Sequence, residues 1–326
     1  MNQKPKQRMS ARERRQNLNG YLFILPWLIG FLVFTLFPMG FSLFISMSKW
    51  NIVTGTTTIQ FVGLGNFVQL FKDPLFYTSL GVTFKFCLMS IPLYQIMSLI
   101  IALLLGLNVR GMKIWRVVYF MPSIIPAVAT AVLWQQILGQ STGLLNNFLR
   151  LFGIAGPAWL SSPKTALISL VIMGTWGIGN TMIIYLAGIQ GVDRSVMEAS
   201  EIDGANYFQR LIHVVLPTIS PTIFFNVVMA IIGSFQYFAQ AFVVTNGTQG
   251  GLGSPVNTTL FYNLYLYKKA FVDFQMGYAS ALAWIMFVII LIFTLLIIKS
   301  SSLWVFYQND DTLMGKVKTH GRKHSK

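Results

Sequence analysis

Acidic side chains are scarce in this sequence, with nine Asp and Glu in 326 residues, and charged residues of either sign make up only 10%. A chain of this length would ordinarily form two soluble domains. With so few charges, 54% hydrophobic residues and a mean hydropathy of +0.62, it cannot clothe a water-facing surface, which places it in the integral membrane class. Cysteine occurs once, as Cys87 inside an apolar run, so there is no disulfide framework, and three scattered histidines supply no metal cluster. The phosphate-cradling string G-x-x-x-x-G-K-[ST] does not occur either; the nearest fragment, Gly315-Lys316, is followed by Val317. If ATP drives this protein, another chain binds it.

What the sequence has in excess is positive charge and apolar length. The net charge of +15 sits mostly at the ends, where residues 1–20 and 299–326 each carry six basic side chains and together supply +9. That placement reads as basic tails against anionic headgroups, not as a nucleic-acid surface. Six stretches exceed the ~18 apolar residues that mark a membrane-crossing helix: 21–47, 80–107, 117–138, 166–188, 218–244 and 276–298. The expected fold is all-α and polytopic, with six transmembrane helices in one membrane domain over 21–298. The run from Tyr21 to Met47 is too long for a secretory signal and reads as a retained first helix. One set of loops and tails (1–20, 108–116, 189–217, 299–326) holds 17 Lys and Arg and the other set (48–79, 139–165, 245–275) holds 6, which predicts both termini on the cytoplasmic side. The outer loops carry the turn-rich stretches Gly63-Leu64-Gly65-Asn66 and Asn246-Gly247-Thr248-Gln249-Gly250-Gly251.

Carriers that run on ion gradients usually bury Asp, Glu, His or Arg in their spans, whereas these spans contain only Lys85. Paired acids, metal ligands or a Ser/His/Asp set are likewise missing there, which argues against an enzyme. The polar content is of another kind. In the fifth span Asn226, Gly233, Tyr237 and Gln240 fall within a sector of roughly 60° at 100° per residue, and in the fourth Trp176 and Asn180 share a face beside Gly174, Gly177 and Gly179. An aromatic plate beside amides suits a polar, uncharged, ring-shaped solute such as a sugar. The same residues also suit interhelical glue, at ~0.6–2 kcal/mol per contact.

Four of the nine acids, Asp193, Glu198, Glu201 and Asp203, gather in the cytoplasmic loop 189–217. Ser195-Val196-Met197-Glu198 matches a capping box and predicts a helix starting at Ser195; Asp203-Gly204 then turns the chain, and Ala205, Phe208, Leu211 and Ile212 give an amphipathic second helix up to Leu216-Pro217. Such a hairpin is either a mechanical coupler or an ordinary interfacial loop. Its residues carry a resemblance. Glu198-Ala199-Ser200, Gly204, Val214 and Leu216-Pro217 resemble, in identity and spacing, the EAA motif of the membrane permeases of ATP-binding-cassette importers, with Ser200 in place of a second alanine and Val214 in place of isoleucine. Glu201-Ile202-Asp203-Gly204-Ala205 is similar to the carbohydrate-uptake branch, the maltose and glycerol-3-phosphate permease type. So are Tyr21-Leu22-Phe23-Ile24-Leu25-Pro26, Gly63-Leu64-Gly65-Asn66-Phe67, the Pro122 and Pro126 pair, and Gly277-Tyr278-Ala279-Ser280-Ala281.

The resemblance covers about residues 20–300. It implies a multi-pass protein of a bacterial or archaeal cytoplasmic membrane, one of two permease subunits working with an ATP-binding-cassette ATPase dimer and an extracellular solute-binding protein. This chain would bind no cofactor, ATP and Mg being used by the partner ATPase. Coupling would fall to Glu198, Ala199, Ser200, Asp203, Gly204, Leu216 and Pro217, and the solute path to Trp176, Asn180, Asn226, Gly233, Tyr237 and Gln240. The alternative is an ion-gradient-driven carrier of a polar neutral solute.

Overall fold

In hydrocarbon every backbone N–H and C=O must find its partner within the protein, which is why long apolar runs become helices. A computed structural model describes residues 11–55, 59–107, 110–246 and 251–306. Most of the two basic tails and of the 246–251 turn therefore lies outside the described residues. Helix α1 (Ala11–Phe31) continues through a π-helical turn into α2 (Phe37–Ser46), and Asn17–Ser46 together form one apolar stretch of 30 residues. Two short strands, β1 (Ser48–Lys49) and β2 (Gln60–Phe61), pair antiparallel with Ser48 opposite Phe61, and α3 (Gly65–Phe71) follows. Helix α4 (Pro74–Leu105) starts where Asp73 accepts the Leu75 amide at 2.9 Å and proline occupies the first helical position, where its missing N–H costs nothing. Then come α5 (Met112–Phe120), α6 (Ala127–Ile137), α7 (Leu144–Leu151), α8 (Ala166–Thr175) and α9 (Gly179–Gln190). The 190s and 200s form α10 (Arg194–Ile202), α11 (Tyr207–Arg210) and α12 (Leu216–Thr218). The chain ends with α13 (Ser220–Phe235), α14 (Ala239–Asn246), α15 (Tyr262–Tyr267) and α16 (Met276–Trp304).

Four helical stretches are long and apolar enough to cross a membrane: Asn17–Ser46, Pro74–Leu105, Ser220–Thr245 and Met276–Trp304. The third and fourth expected spans are not straight helices. Residues 112–124 and 127–137 meet at 100°, and 166–175 and 179–190 meet at 46°, so the number of spans rises to six only if each bent pair is one span. The first bend follows from Pro122 and Pro126, which remove amide donors and clash with the preceding turn. At the second, a Cβ on Gly179 would stand 2.8 Å from the Tyr119 carbonyl, so glycine lets α9 start against the end of α5. The fifth span is interrupted as well, at residues 236–238.

The described residues divide into two compact units. In the smaller one, built from α1–α3, the strand pair and residues 269–284, Asn66 is buried and donates to the carbonyls of Ser46 and Ser48 at 2.8 and 2.9 Å. Gly277 lies so close to Ser48 that a side chain there would strike its carbonyl, and Trp284 donates to Ser42 at 3.2 Å. The two short strings that carried part of the family resemblance, 63–67 and 277–281, thus meet at the end of α2.

In the larger unit α4 is the central helix, packed by α8, α9, α13 and α15. One apolar cluster joins Phe86, Leu170, Val171, Met173, Phe261 and Leu264, and a second joins Ala102, Leu105, Met182, Tyr185 and Leu186. Polar ties lie between the clusters: Tyr185 donates to Gln95 at 2.5 Å and Gln95 donates to the Asn226 carbonyl at 3.1 Å.

Asn66→Ala would leave two carbonyls without their donor and is expected to cost about 1–3 kcal/mol, read as a lower unfolding temperature of the purified chain in detergent. An unchanged temperature would show that water serves those carbonyls equally well.

Candidate functional site

Two features stand out in the larger unit, a solvent-facing hairpin and a cavity lined by apolar, aromatic and uncharged polar side chains. The hairpin starts one residue earlier than expected. Asp193, not Ser195, caps α10, accepting the Ser195 amide at 2.9 Å, and the expected Ser195/Glu198 capping box is not made. A carboxylate at the positive end of the helix dipole is the stronger acceptor, and it sits two residues upstream. The Ser195 amide, and then its hydroxyl, hold the Asp193 carboxyl below its ordinary pKa, so this cap is complete above the usual carboxylate range and is lost as pH falls through the lowered value. A capping box does form at α11, where Asn206 accepts the Gln209 amide at 2.9 Å and the Gln209 side chain accepts the Asn206 amide at 2.8 Å.

Between the helices Gly204 adopts φ +78° in open space, and its amide donates to the Glu201 carbonyl at 3.0 Å. Left-handed backbone, not crowding, is what requires glycine there. Arg210 forms an ion pair with Glu201 that ties α11 back to α10. Glu198, Ala199, Asp203 and Gly204 are exposed, Ser200 is half-buried, and the apolar side chains of Ile202 and Phe208 stand 87% and 70% exposed beside them. Leu216 and Pro217 lie half-buried in the short α12, which joins this hairpin to α13.

The cavity, of about 490 Å³, opens where the three interruptions in the helices converge. Pro122, Ser123 and Ile125 come from the first break, Trp176, Gly177 and Ile178 from the second, and Tyr237 from the third. Trp176 stands edge-on to Trp134 with centroids 6.3 Å apart, and Tyr237 packs against Phe86 at 4.4 Å and Phe261 at 5.0 Å. The Tyr237 hydroxyl is buried without a hydrogen-bond partner among the described residues.

Of the residues expected to face a solute, Trp176, Gly233, Tyr237 and Gln240 line this cavity. Asn180 and Asn226 do not. Asn180 is exposed beyond the bend that follows Trp176, and Asn226 is 3% exposed within the contact of α13 with α4. A constant 100° per residue holds only along an unbroken helix, and Asn180 lies across a break from Trp176. Asn226 shares the unbroken α13 with Gly233 but stands about 10 Å before it along the axis, outside the cavity. Tyr94, Gln95, Thr130 and Thr181 also line the cavity and were missed. Tyr94-Gln95 had a signal, a polar pair two residues after Pro92 in the middle of the apolar run 80–107; the threonines had none.

Residues 83–307 match the family described as binding-protein-dependent transport system inner membrane component. The chain belongs to this family. This permease is 41% identical over 301 residues to the probable ABC transporter permease protein YesP of Bacillus subtilis, covering 91% of this chain and 95% of that protein. It is 34% identical to the lactose transport system permease protein LacF of Rhizobium radiobacter, covering 80% and 86% of the two chains. With the trehalose/maltose transport system permease protein MalF of Thermococcus litoralis the identity is 31% and the coverages are 86% and 92%. A chain in the crystal structure of a bacterial alginate ABC transporter, in complex with an alginate pentasaccharide-bound periplasmic protein, shares the fold with a TM-score of 0.77 at 23% identity, over 89% of this chain and 96% of that one. The permease is therefore a multi-pass transport component of the cytoplasmic membrane in an ATP-driven importer, and ATP hydrolysis belongs to a separate chain.

A methyl group at Gly174 would run into the Tyr94 hydroxyl, which donates to the Val171 carbonyl at 2.9 Å. Gly174→Ala is expected to destabilise the purified permease by about 1–3 kcal/mol, and by less in a Tyr94→Phe background where that hydroxyl is gone. Thermal unfolding of the four proteins checks the cycle; strictly additive losses would place the two side chains out of contact.

Proposed function

We propose that the permease conducts a saccharide or similar polyhydroxylated neutral solute, as one of two permease subunits above an ATPase pair and below an extracellular solute-binding protein, in a bacterial or archaeal membrane. The observation that carries this reading is the convergence of three broken helices on a cavity with no charged side chain in its described lining. Discontinuous helices at mid-span are tolerated where the freed backbone lines a cavity, and they mark binding sites in transporters. Trp176 offers a ring face for sugar C–H groups, and the Tyr237 hydroxyl and the Gln240 amide offer a donor–acceptor pair. The names of relatives for lactose, arabinooligosaccharides and trehalose/maltose support the same solute class. A gradient-driven carrier is disfavoured by the family.

In this reading six spans, each bent pair counting as one, place both termini in the cytoplasm, with basic tails at 1–20 and 299–326 flanking the permease domain 21–298. The hairpin 189–217 is the coupling element. Its exposed Glu198, Ala199, Asp203 and Gly204, with Ser200 behind them, dock on the ATPase, and Leu216-Pro217 pass the movement to α13, which carries Gly233 beside the cavity. ATP-driven closure of the ATPases and docking of the loaded binding protein each favour the outward-facing packing, so transport is a shift between two packed states.

The test is uptake by the permease reconstituted with its partner subunits. Trp176→Ala and Gln240→Ala are expected to lower saccharide uptake per molecule at least about tenfold, as expected when a ring or amide contact worth ~1.4 kcal/mol or more is lost, while Asn180→Ala leaves it unchanged. Gly204→Val is expected to weaken solute-stimulated ATP hydrolysis by straining the turn by about 1–2 kcal/mol, and Gly204→Asn less so. Normal uptake by the cavity variants would refute the solute path, and normal coupling in Gly204→Val would refute the docking role.

A further inference from the structure

Helix α7, between the two bent pairs, is turned the wrong way round for a helix in water. Its buried anchor is polar: Asn146, 2% exposed, donates to the carbonyls of Gln140 and Pro157 at 3.0 and 3.2 Å and accepts the Trp159 indole N–H at 2.7 Å. Its outward side is apolar, with Leu144 68% exposed, Phe148 56% and Leu151 81%. At 100° per residue Leu151, Leu144, Phe148 and Phe152 fall within a sector of about 100°, and Asn146, Arg150 and Asn147 fall within another about as wide. Asn147 and Arg150 are themselves exposed, and Arg150 reaches back to the Ser141 carbonyl at 3.2 Å. The outward surface of α7 is therefore divided lengthwise, one strip apolar and aromatic, the other amide and guanidinium.

We propose that α7 is an interfacial helix whose Leu144, Phe148, Leu151 and Phe152 strip is immersed in the leaflet on the side of the 139–165 loop, with Asn147 and Arg150 at headgroup level. Three observations select lipid as the occupant. First, α6 ends at Ile137 as the second arm of a bent apolar pair, and only six residues separate it from Leu144. Fully extended they would reach about 20 Å, and the turn closed by the Gly143 amide on the Gly139 carbonyl at 3.1 Å shortens that reach, so α7 stays beside the bilayer surface. Second, a two-strip surface matches the gradient from acyl chain to headgroup; uniform water would not tolerate the apolar strip, and a dry protein interface would not favour the exposed guanidinium. Third, the edge-to-face pair Phe148 and Phe152, with centroids 5.2 Å apart, places aromatic rings next to an arginine able to snorkel.

The contact has a mechanical consequence. Trp159, held by Asn146, accepts the Ser169 hydroxyl at 2.9 Å through its own carbonyl, so α7 is tied to α8, and the residue that caps α8 is Trp176 of the cavity. Lipid thereby fixes one end of the bent span that lines the solute path. That the leaflet is the outer one rests on the orientation proposed above; the immersion itself does not.

Cys87, the one cysteine, is buried, which leaves the surface free for single spin labels. Phe148→Cys, Leu151→Cys and, on the polar strip, Asn147→Cys are labelled in the assembled transporter in bilayer nanodiscs, and collision rates are measured with oxygen and with a water-soluble nickel chelate. The ratio of oxygen to nickel collisions is expected to be several-fold higher at 148 and 151 than at 147. Equal ratios at all three sites would mean a water-exposed helix, and low collision rates with both reagents at 148 and 151 would mean a protein partner; either result overturns the proposal. A label at Leu144→Cys in a Phe148→Ser/Leu151→Ser background is expected to move toward water, and an unchanged depth there would equally overturn it.

Discussion

The need to satisfy backbone polar groups away from water governs this molecule more than any other interaction. An unbroken helix meets it without help, but every break or end creates amides and carbonyls that something else must serve. In the permease, side chains near each break do so. Ser123 donates to the Phe120 carbonyl at 2.6 Å where α5 gives way, Thr175 donates to Ile172 at 2.7 Å as α8 ends, and Asn263 reaches the Phe235 carbonyl at 3.5 Å at the end of α13. Arg116 serves the Leu105 carbonyl at the end of α4, and the Thr83 hydroxyl accepts the Tyr262 amide at the start of α15. With those groups satisfied, three helices can be interrupted close together, and the interruptions enclose a cavity of mixed apolar and uncharged polar lining.

The same economy connects the cavity to the hairpin. From Tyr207 to Phe235 the chain is helical with a π-helical turn at 211–215 and a single non-helical residue at Ile219, which is itself buried. In the proposed coupling, a displacement applied to the exposed face of α10 and α11 would reach α13 through this nearly continuous helical path. The Arg210–Glu201 pair and the turn at Gly204 keep the two short helices from hinging freely against each other. The ion pair is partly solvated and contributes little stability; its use is in fixing an angle.

Much of this was legible in the residues. The class followed from composition, four long apolar helical stretches from their hydropathy, and the hairpin from Asp203-Gly204, whose left-handed turn the structure contains. The cap of α10 was misread because Ser195 and Asp193 are both good acceptors two residues apart, and pattern alone does not say which carboxyl or hydroxyl will reach the free amide. The site was legible in part. Trp176, Gly233, Tyr237 and Gln240, singled out by a rotation argument, line the cavity, whereas Asn180 lies across a break where that argument fails. Asn226 shares a face with Gly233 but lies about two turns away along α13, because rotation fixes a face and not a depth. Tyr94 and Gln95 lie on α4, far in sequence from Trp176 and Tyr237, and no periodicity within one helix relates them to Tyr237.

The amino-acid sequence by itself determined that this chain lives in a membrane, which runs are apolar enough to cross it, and where a polar hairpin carries the family's EAA pattern. These depend on local composition, because transfer into hydrocarbon and the choice of turn are decided residue by residue. Only the tertiary structure decided where the helices break and by how much they bend, which of the polar residues face a common cavity, and that Asn146 is buried while Leu151 is exposed. Those outcomes depend on which distant side chain reaches a freed carbonyl or amide, a matter of three-dimensional proximity that no single stretch of sequence contains.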